Sequence, residues 1–263
     1  MKSNEGAGSP VESPAESTEF RPCAIVPSYR HVARLRNVTD ALVALGLPVF
    51  LVDDGNAPEA AAVIAALADP QRRVTVIRRD ANGGKGAAIK TGFAAAHAAG
   101  FTHALQVDAD GQHDLADAPA FLEKARAAPG AVICGAPRYD ESVPKARKFG
   151  RYITHVCVWI ETLSLDITDS MCGFRLYPLA STMRVVTRET IGDRMDFDTE
   201  IAVHLHWAGA PFVTQETGVV YPEGNVSNFD MLADNVRISW MHIRMLVQMP
   251  VRAPMRMLRG EAR

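Results

Sequence analysis

Apolar residues in this chain come in short runs, and each run ends in a polar or glycine-rich cluster. Ala24-Ile25-Val26 leads into Pro27-Ser28-Tyr29-Arg30, and Val49-Phe50-Leu51-Val52 into Asp53-Asp54-Gly55. Val74-Thr75-Val76-Ile77 precedes a stretch ending Asn82-Gly83-Gly84-Lys85-Gly86, and Ala104-Leu105-Gln106-Val107 precedes Asp108-Ala109-Asp110-Gly111. A fifth run, Ala131-Val132-Ile133-Cys134, ends in Gly135-Ala136-Pro137-Arg138. Apolar runs this short, bounded by turn residues, read as buried strands. The Ala-rich stretches Pro58–Ala68, Gly86–Ala99 and Pro119–Ala128 between them have helical character. Strand and helix alternating at this spacing predict an α/β fold, a Rossmann-like, mostly parallel sheet flanked by helices. In such sheets ligands sit beyond the carboxyl ends of the strands, and all five clusters fall there.

The two ends of the chain read differently. Residues 1–19 hold little that is worth burying, which predicts a mobile tail, with folding starting near Phe20 and one domain running from 20 to 235. Over Pro144–Leu163, Phe149, Ile153, Val156, Trp159, Ile160 and Leu163 recur at helical spacing and are expected to face the core. Arg147, Lys148, Arg151 and His155 group on another face and, with Arg138, suit a phosphate. Residues 236–263 carry six Arg and one acid, interleaved with Trp240, Met241, Ile243, Met245, Leu246 and Met249 up to Pro250. Such a basic amphipathic helix either lies on an anionic membrane surface or packs its Met stripe back on the domain.

Composition narrows the function classes. The formal charge of −2, from 28 Lys and Arg against 30 Asp and Glu, excludes broad binding to nucleic-acid phosphates. Four scattered cysteines with no Cys-x-x-Cys pair speak against a structural zinc site and a secreted disulfide framework. No apolar run is long enough for a bilayer and no signal-like N-terminus is present, so a cytoplasmic protein is expected.

Asp108-Ala109-Asp110-Gly111-Gln112-His113-Asp114 is the densest carboxylate cluster. Two Asp at i and i+2 leaving a strand can share one hard cation, Mg²⁺ or Mn²⁺, with substrate phosphates, and Gln112 could be a neutral third ligand. Alternatively they form a solvated turn. An EF-hand is excluded by His113 and Pro119 at the positions that need Gly and Glu. An Asp-nucleophile phosphatase of haloacid-dehalogenase type would continue with Thr where Gln112 stands. The loop Asn82–Gly86 opens a helix and offers backbone N–H groups to an anion, yet it lacks the Ser or Thr of a Walker A loop and the third glycine of a dinucleotide fingerprint. Of Asp53 and Asp54, one is placed to accept from a nucleobase N–H and the other to cap the next helix. Asp169 through Arg175 and Met195 through Ile201 add the acids Asp196, Asp198 and Glu200.

Together these motifs, in this order, resemble family 2 glycosyltransferases, and in spelling the dolichyl- or polyprenyl-phosphate sugar transferases. Ile167–Leu179, with Thr154-His155 before it and Tyr221-Pro222-Glu223 after it, looks most like the bacterial branch associated with aryl polyene lipids. The resemblance spans roughly Pro22 to Met249 and implies a GT-A fold with metal-dependent, inverting transfer from a nucleotide sugar, UDP- or GDP-linked. It implies that Pro27, Tyr29 and Asp53 or Asp54 line the base and that Lys85 lies near the donor. Asp108, Asp110 and Gln112 would hold the metal on the diphosphate. Arg138 and Arg147 or Arg151 would meet a phosphate, Arg175 matches the Arg of the Gly-Phe-Arg motif, and Glu200 an acid that follows it. Where the family has Asn and Glu after Pro-x-Tyr, this chain has Arg30 and His31.

The expected acceptor is a lipid or a lipid phosphate. A phosphate acceptor is already anionic and needs no general base, whereas a hydroxyl requires one of Asp169, Asp198 or Glu200. The competing expectations are the phosphatase and a non-catalytic nucleotide-sugar binder.

Overall fold

The computed structural model describes residues 19–138, 145–219 and 229–258, with the backbone alone at 145–149 and 256–258. The tail expected over 1–19 lies outside these residues except for Glu19, as does Tyr221-Pro222-Glu223. All five apolar runs are strands: β1 (Pro22–Ser28), β2 (Val49–Asp53), β3 (Val74–Arg78), β4 (His103–Gln106) and β5 (Val132–Arg138). Two more follow, β6 (Arg175–Pro178) and β7 (Phe212–Gly218), and the sheet runs β3-β2-β1-β4-β6-β5-β7. Only β6 is antiparallel to its neighbours.

Alternation along the strands builds a core on each face of the sheet. Ala24 and Val26 of β1 face one way, against Leu35, Val38 and Leu42 of α1 (Leu35–Ala44), Ile64 of α2 (Pro58–Ala65) and Phe121 of α4 (Ala118–Ala127). Cys23 and Ile25 face the other way, against Ile89 and Phe93 of α3 (Lys85–Ala98), Val185 of α6 (Leu179–Arg188) and Leu205 of α7 (Phe197–Trp207). Gly92 lets α3 close on β1, since a Cβ there would meet Ile25 Cγ2 at 2.5 Å. Pro58 opens α2, where its missing N–H costs nothing. Cys23, Cys134 and Cys172 are buried, and all four cysteines are free thiols.

A third apolar cluster joins Val158 of α5 (Lys145–Thr162), Val203 and Trp207 of α7, and Met241, Met245 and Ala253 of α8 (Ala233–Leu258). One expectation is corrected here. The α5 stripe faces outward in large part: Ile153, Ile160 and Leu163 are 49%, 48% and 48% exposed, while Thr154, Val158, Glu161 and Thr162 are buried. Burying Glu161 is tolerable because His242 Nδ1 of α8 lies 2.7 Å from its Oε1. The last helix runs through Pro250 and Pro254. Its Met stripe is core, while Leu232, Val236, Trp240, Ile243, Val247 and Val251 form an exposed apolar row. Among the described residues, no helix is long and apolar enough to cross a membrane.

Candidate active site at the carboxyl edge of the sheet

The strand order reverses between β1 and β4, the place where open α/β sheets leave a crevice. Tyr29 and Arg30 leave β1 there. Arg30 holds φ +63°, its guanidinium lies 5.0 Å from the Tyr29 ring centre, and its N–H donates to Asn56 Oδ1 at 2.7 Å. Pro27 and Tyr29 are half-buried beside it.

The two acids after β2 divide their work. Asp53 Oδ1 accepts from Asn56 N at 3.0 Å and Nδ2 at 2.7 Å, and its Oδ2 pairs with Arg78 at 2.7 Å. Asp54 accepts from Gly83 N at 3.1 Å, Gly84 N at 2.8 Å and Asn82 Nδ2 at 2.9 Å, and pairs with Arg79. Neither caps α2, whose N-cap is Ala57 with no side-chain bond. Asp54 instead fixes the glycine-rich loop, because a buried carboxylate is stable only when such donors surround it.

That loop delivers Lys85. Gly84, at φ +104°, turns the chain into α3, and Lys85 is the helix's first residue. Its Nζ lies 2.8 Å from Asp108 Oδ1 after β4 and 2.8 Å from Asp198 Oδ2 in the first turn of α7. Asp198 Oδ1 accepts from Gln106 Nε2 at 2.7 Å. Burial works to raise the Asp108 pKa, but the Lys85 ammonium and His113 hold it well below the carboxylate range. Lys85 is held protonated in turn: burial opposes its charge, and Asp108 and Asp198 outweigh that. Gly173 borders the cluster, since a Cβ there would stand 2.6 Å from Lys85 Nζ and 2.7 Å from Asp108 Oδ2.

Asp110 lies two residues on and half-buried, its Oδ1 accepting from Gln112 N at 3.0 Å across the turn at Gly111. His113 Nε2 stands 3.4 Å from Asp108 Oδ2, with the ring stacked on Phe174. Among the described residues no three His, Cys, Asp or Glu side chains converge as a complete metal cage. The donor chemistry of Asp108 and Asp110 nevertheless fits a hard dication, since two carboxylates plus diphosphate oxygens are the set Mg²⁺ and Mn²⁺ prefer; such an ion would displace Lys85 from Asp108 or share Asp108 with it.

The remaining predicted residues are brought together less closely. Asp169 receives Arg151 in a bidentate pair, Nε at 2.9 Å and Nη2 at 2.6 Å, and accepts from Met171 N and Cys172 N. Arg175 is fully buried beneath the cluster and donates to the Asp198 carbonyl at 2.8 Å. Glu200 has 0% exposure; its oxygens take Gly192 N at 2.7 Å and Arg244 at 2.9 Å, so it stands apart from the crevice. Arg138 is exposed at the end of β5, and the Arg147 side chain lies outside the described residues. Sequence reasoning gave no role to His113, Gly173 and Gln106, although all three lie inside stretches it quoted; only packing shows what they touch.

The model of the family described as "Glycosyl transferase family 2" matches residues 23–192. The chain is 25% identical over 76% of its length to a dolichyl-phosphate beta-glucosyltransferase of Trichomonas vaginalis. It is 30% identical over 66% of its length to a polyprenol monophosphomannose synthase of Mycolicibacterium smegmatis. The matches span 65% and 66% of those curated relatives' own lengths. Among solved structures, glucosyl-3-phosphoglycerate synthase of Mycobacterium tuberculosis superposes with a TM-score of 0.65 at 12% identity, covering 89% of this chain and 82% of that one. Mannosyl-3-phosphoglycerate synthase of Rubrobacter xylanophilus gives 0.61 at 16% identity, covering 87% and 73%. These likenesses identify the architecture as the GT-A fold.

Proposed function

Because this chain belongs to glycosyl transferase family 2, we propose that it moves a sugar, with inversion, from a UDP- or GDP-linked donor to a lipid phosphate of polyprenyl-phosphate type, in preference to the hydroxyl of an aryl polyene type lipid. One observation carries the choice of acceptor. Each acid that could serve as general base is already tied to a cation: Asp169 to Arg151, Asp198 to Lys85 and Glu200 to Arg244. A hydroxyl acceptor needs a base to take its proton, and a carboxylate held by a cation is a weaker one, whereas a phosphate attacks as the anion it already is. The relatives' names, a dolichyl-phosphate glucosyltransferase and a polyprenol monophosphomannose synthase, support the same reading.

In this reading Pro27 and Tyr29 line the base, and the Asp53–Arg78 pair offers it both an acceptor and a donor edge. The glycine-rich loop and Lys85 face the diphosphate, while Asp108, Asp110 and Gln112 would hold Mg²⁺ or Mn²⁺. When bound, that cation neutralises charge on the departing nucleotide. Arg175 fixes the start of α7 and so the place of Asp198. Arg138, exposed at the strand end, meets the acceptor phosphate, and Arg151 holds the Asp169 loop beside it. The exposed row of α8 rests peripherally on the membrane that carries such an acceptor.

The test is calorimetric titration of UDP- and GDP-sugars with and without Mn²⁺. The wild-type protein is expected to bind at least one donor only with metal, and Asp110→Ala to lose that binding while staying folded. No donor binding across both nucleotide classes refutes the reading; binding without turnover on any polyprenyl phosphate leaves only a nucleotide-sugar binder. The phosphatase alternative ends with the family assignment.

A further inference from the structure

We propose that Glu200 and Arg244 are positioning residues for the glycine-rich loop, so that the C-terminal helix belongs to the framework of the donor site. The inference rests on reading that loop as the donor-phosphate site.

The segment between α6 and α7, residues 189–196, brackets the loop. Its Asp193 carbonyl accepts from Ala87 N at 3.0 Å, in the first turn of α3. Lys90 donates to the Ile191 carbonyl at 2.8 Å and pairs with Asp193 at 2.7 Å. Contact is close enough that a Cβ on Gly84 would meet the Asp193 carbonyl oxygen at 2.5 Å, and one on Gly86 the Gly192 carbonyl oxygen at 2.7 Å. The loop that orients Lys85 therefore has the bracket as its outer wall.

What holds the bracket is Glu200. One oxygen accepts from Gly192 N at 2.7 Å and the other from Arg244 at 2.9 Å. Glu200 has 0% exposure, and a carboxylate there is tolerable only with both partners in place. A second tie repeats the pattern: Arg252 of α8 grips Glu189, at the start of the bracket, through two bonds of 2.7 Å. Both arginines come from α8, whose apolar side is anchored by Met241 and Met245. The connection runs Arg244, Glu200, Gly192, Asp193, Ala87, Lys85, with a hydrogen bond, an ion pair or at most two peptide links at each step.

The experiment is amide hydrogen exchange over residues 83–90 in Arg244→Met and Glu200→Gln, paired with calorimetric titration of UDP and GDP in the presence of Mn²⁺. Loss of a charge-assisted bond in a local unit predicts exchange about tenfold faster at Ala87 and its neighbours, and nucleotide affinity about tenfold weaker. Amides of β2 should keep their wild-type rates. Glu200→Gln retains an acceptor for the Gly192 N–H and is expected to lose less of the protection than Arg244→Met does. Arg244→Met leaves the buried Glu200 carboxylate without its cation, so thermal unfolding is measured alongside, and Glu200→Gln, which removes that charge itself, keeps the proposal testable should Arg244→Met fail to fold. Unchanged exchange at 83–90 in Arg244→Met overturns the proposal, as does faster exchange spread evenly over the molecule or faster loop exchange with unaltered nucleotide affinity. If the wild-type protein binds neither nucleotide, the donor-site reading fails and takes the functional half of the proposal with it, while the exchange data still decide whether the tie exists.

Discussion

At the scale of single residues, the site is a matter of charge held in balance. Asp108 and Asp198 lie on one ammonium, that of Lys85, and the space for that arrangement exists because residue 173 has no side chain. Gly173→Ala therefore pushes against Lys85 and Asp108 but not against the packed core. The expected outcome is loss of nucleotide-sugar affinity by about tenfold or more, with a melting temperature close to wild type, read by calorimetry and thermal unfolding. The carboxylate pair Asp108 and Asp110 was legible in the chain because its spacing carries the chemistry. The dependence on Gly173 was not, since a glycine in a loop looks the same whether it serves a turn or a close approach.

Secondary elements were readable to the degree that burial is one-sided. Of the five early strands β1, β2 and β4 are buried along most of their length and β5 over its first half, and continuous apolar runs announced them; β3, at the sheet edge, is buried only at Val74 but carries the same apolar run. β6 is four residues long, starts with the buried Arg175 and ends in a proline, so nothing in its composition marks a strand. β7 is an edge strand of Thr, Gln and Glu that joins the sheet through its backbone to β5. Helical periodicity located α5 and α8 but not their orientation, because each carries apolar residues on more than one side. The two sides of α8 should behave differently on mutation. Met245→Ala is expected to destabilise by about 2–5 kcal/mol in urea unfolding, as for other buried large-to-small changes. Trp240→Asp with Val247→Asp should leave stability within about 1 kcal/mol and abolish sedimentation with anionic phospholipid vesicles. Retained vesicle binding would refute the membrane contact.

For the whole molecule, stability toward acid follows from histidines that folding buries. Burial lowers the His204 pKa to about 4, against the pull of Glu189; His103 and His155 shift in the same direction, also chiefly by burial. A depressed histidine binds fewer protons folded than unfolded, so its contribution is complete above the unfolded value near 6.5 and is lost as pH falls toward 4. A shift of this size corresponds to about 3 kcal/mol for His204 alone. His204→Gln should flatten the pH 4.5 to 7 dependence of the urea midpoint; a slope as steep as wild type would show that His204 does not carry it.

The sequence by itself determined the alternation of strand and helix, hence the layered α/β architecture and the edge where its clusters gather, because these depend on local periodicity and on turn chemistry. It also determined the pairs of acids and the glycine-rich loop. Only the tertiary structure decided which cation each acid meets. Asp169, Asp198 and Glu200 looked equivalent along the chain, but folding brings Arg151 to the first, Lys85 to the second and Arg244 to the third. Whether a carboxylate acts on a substrate or holds a loop depends on the cation that folding brings to it, and no spacing along the chain records that.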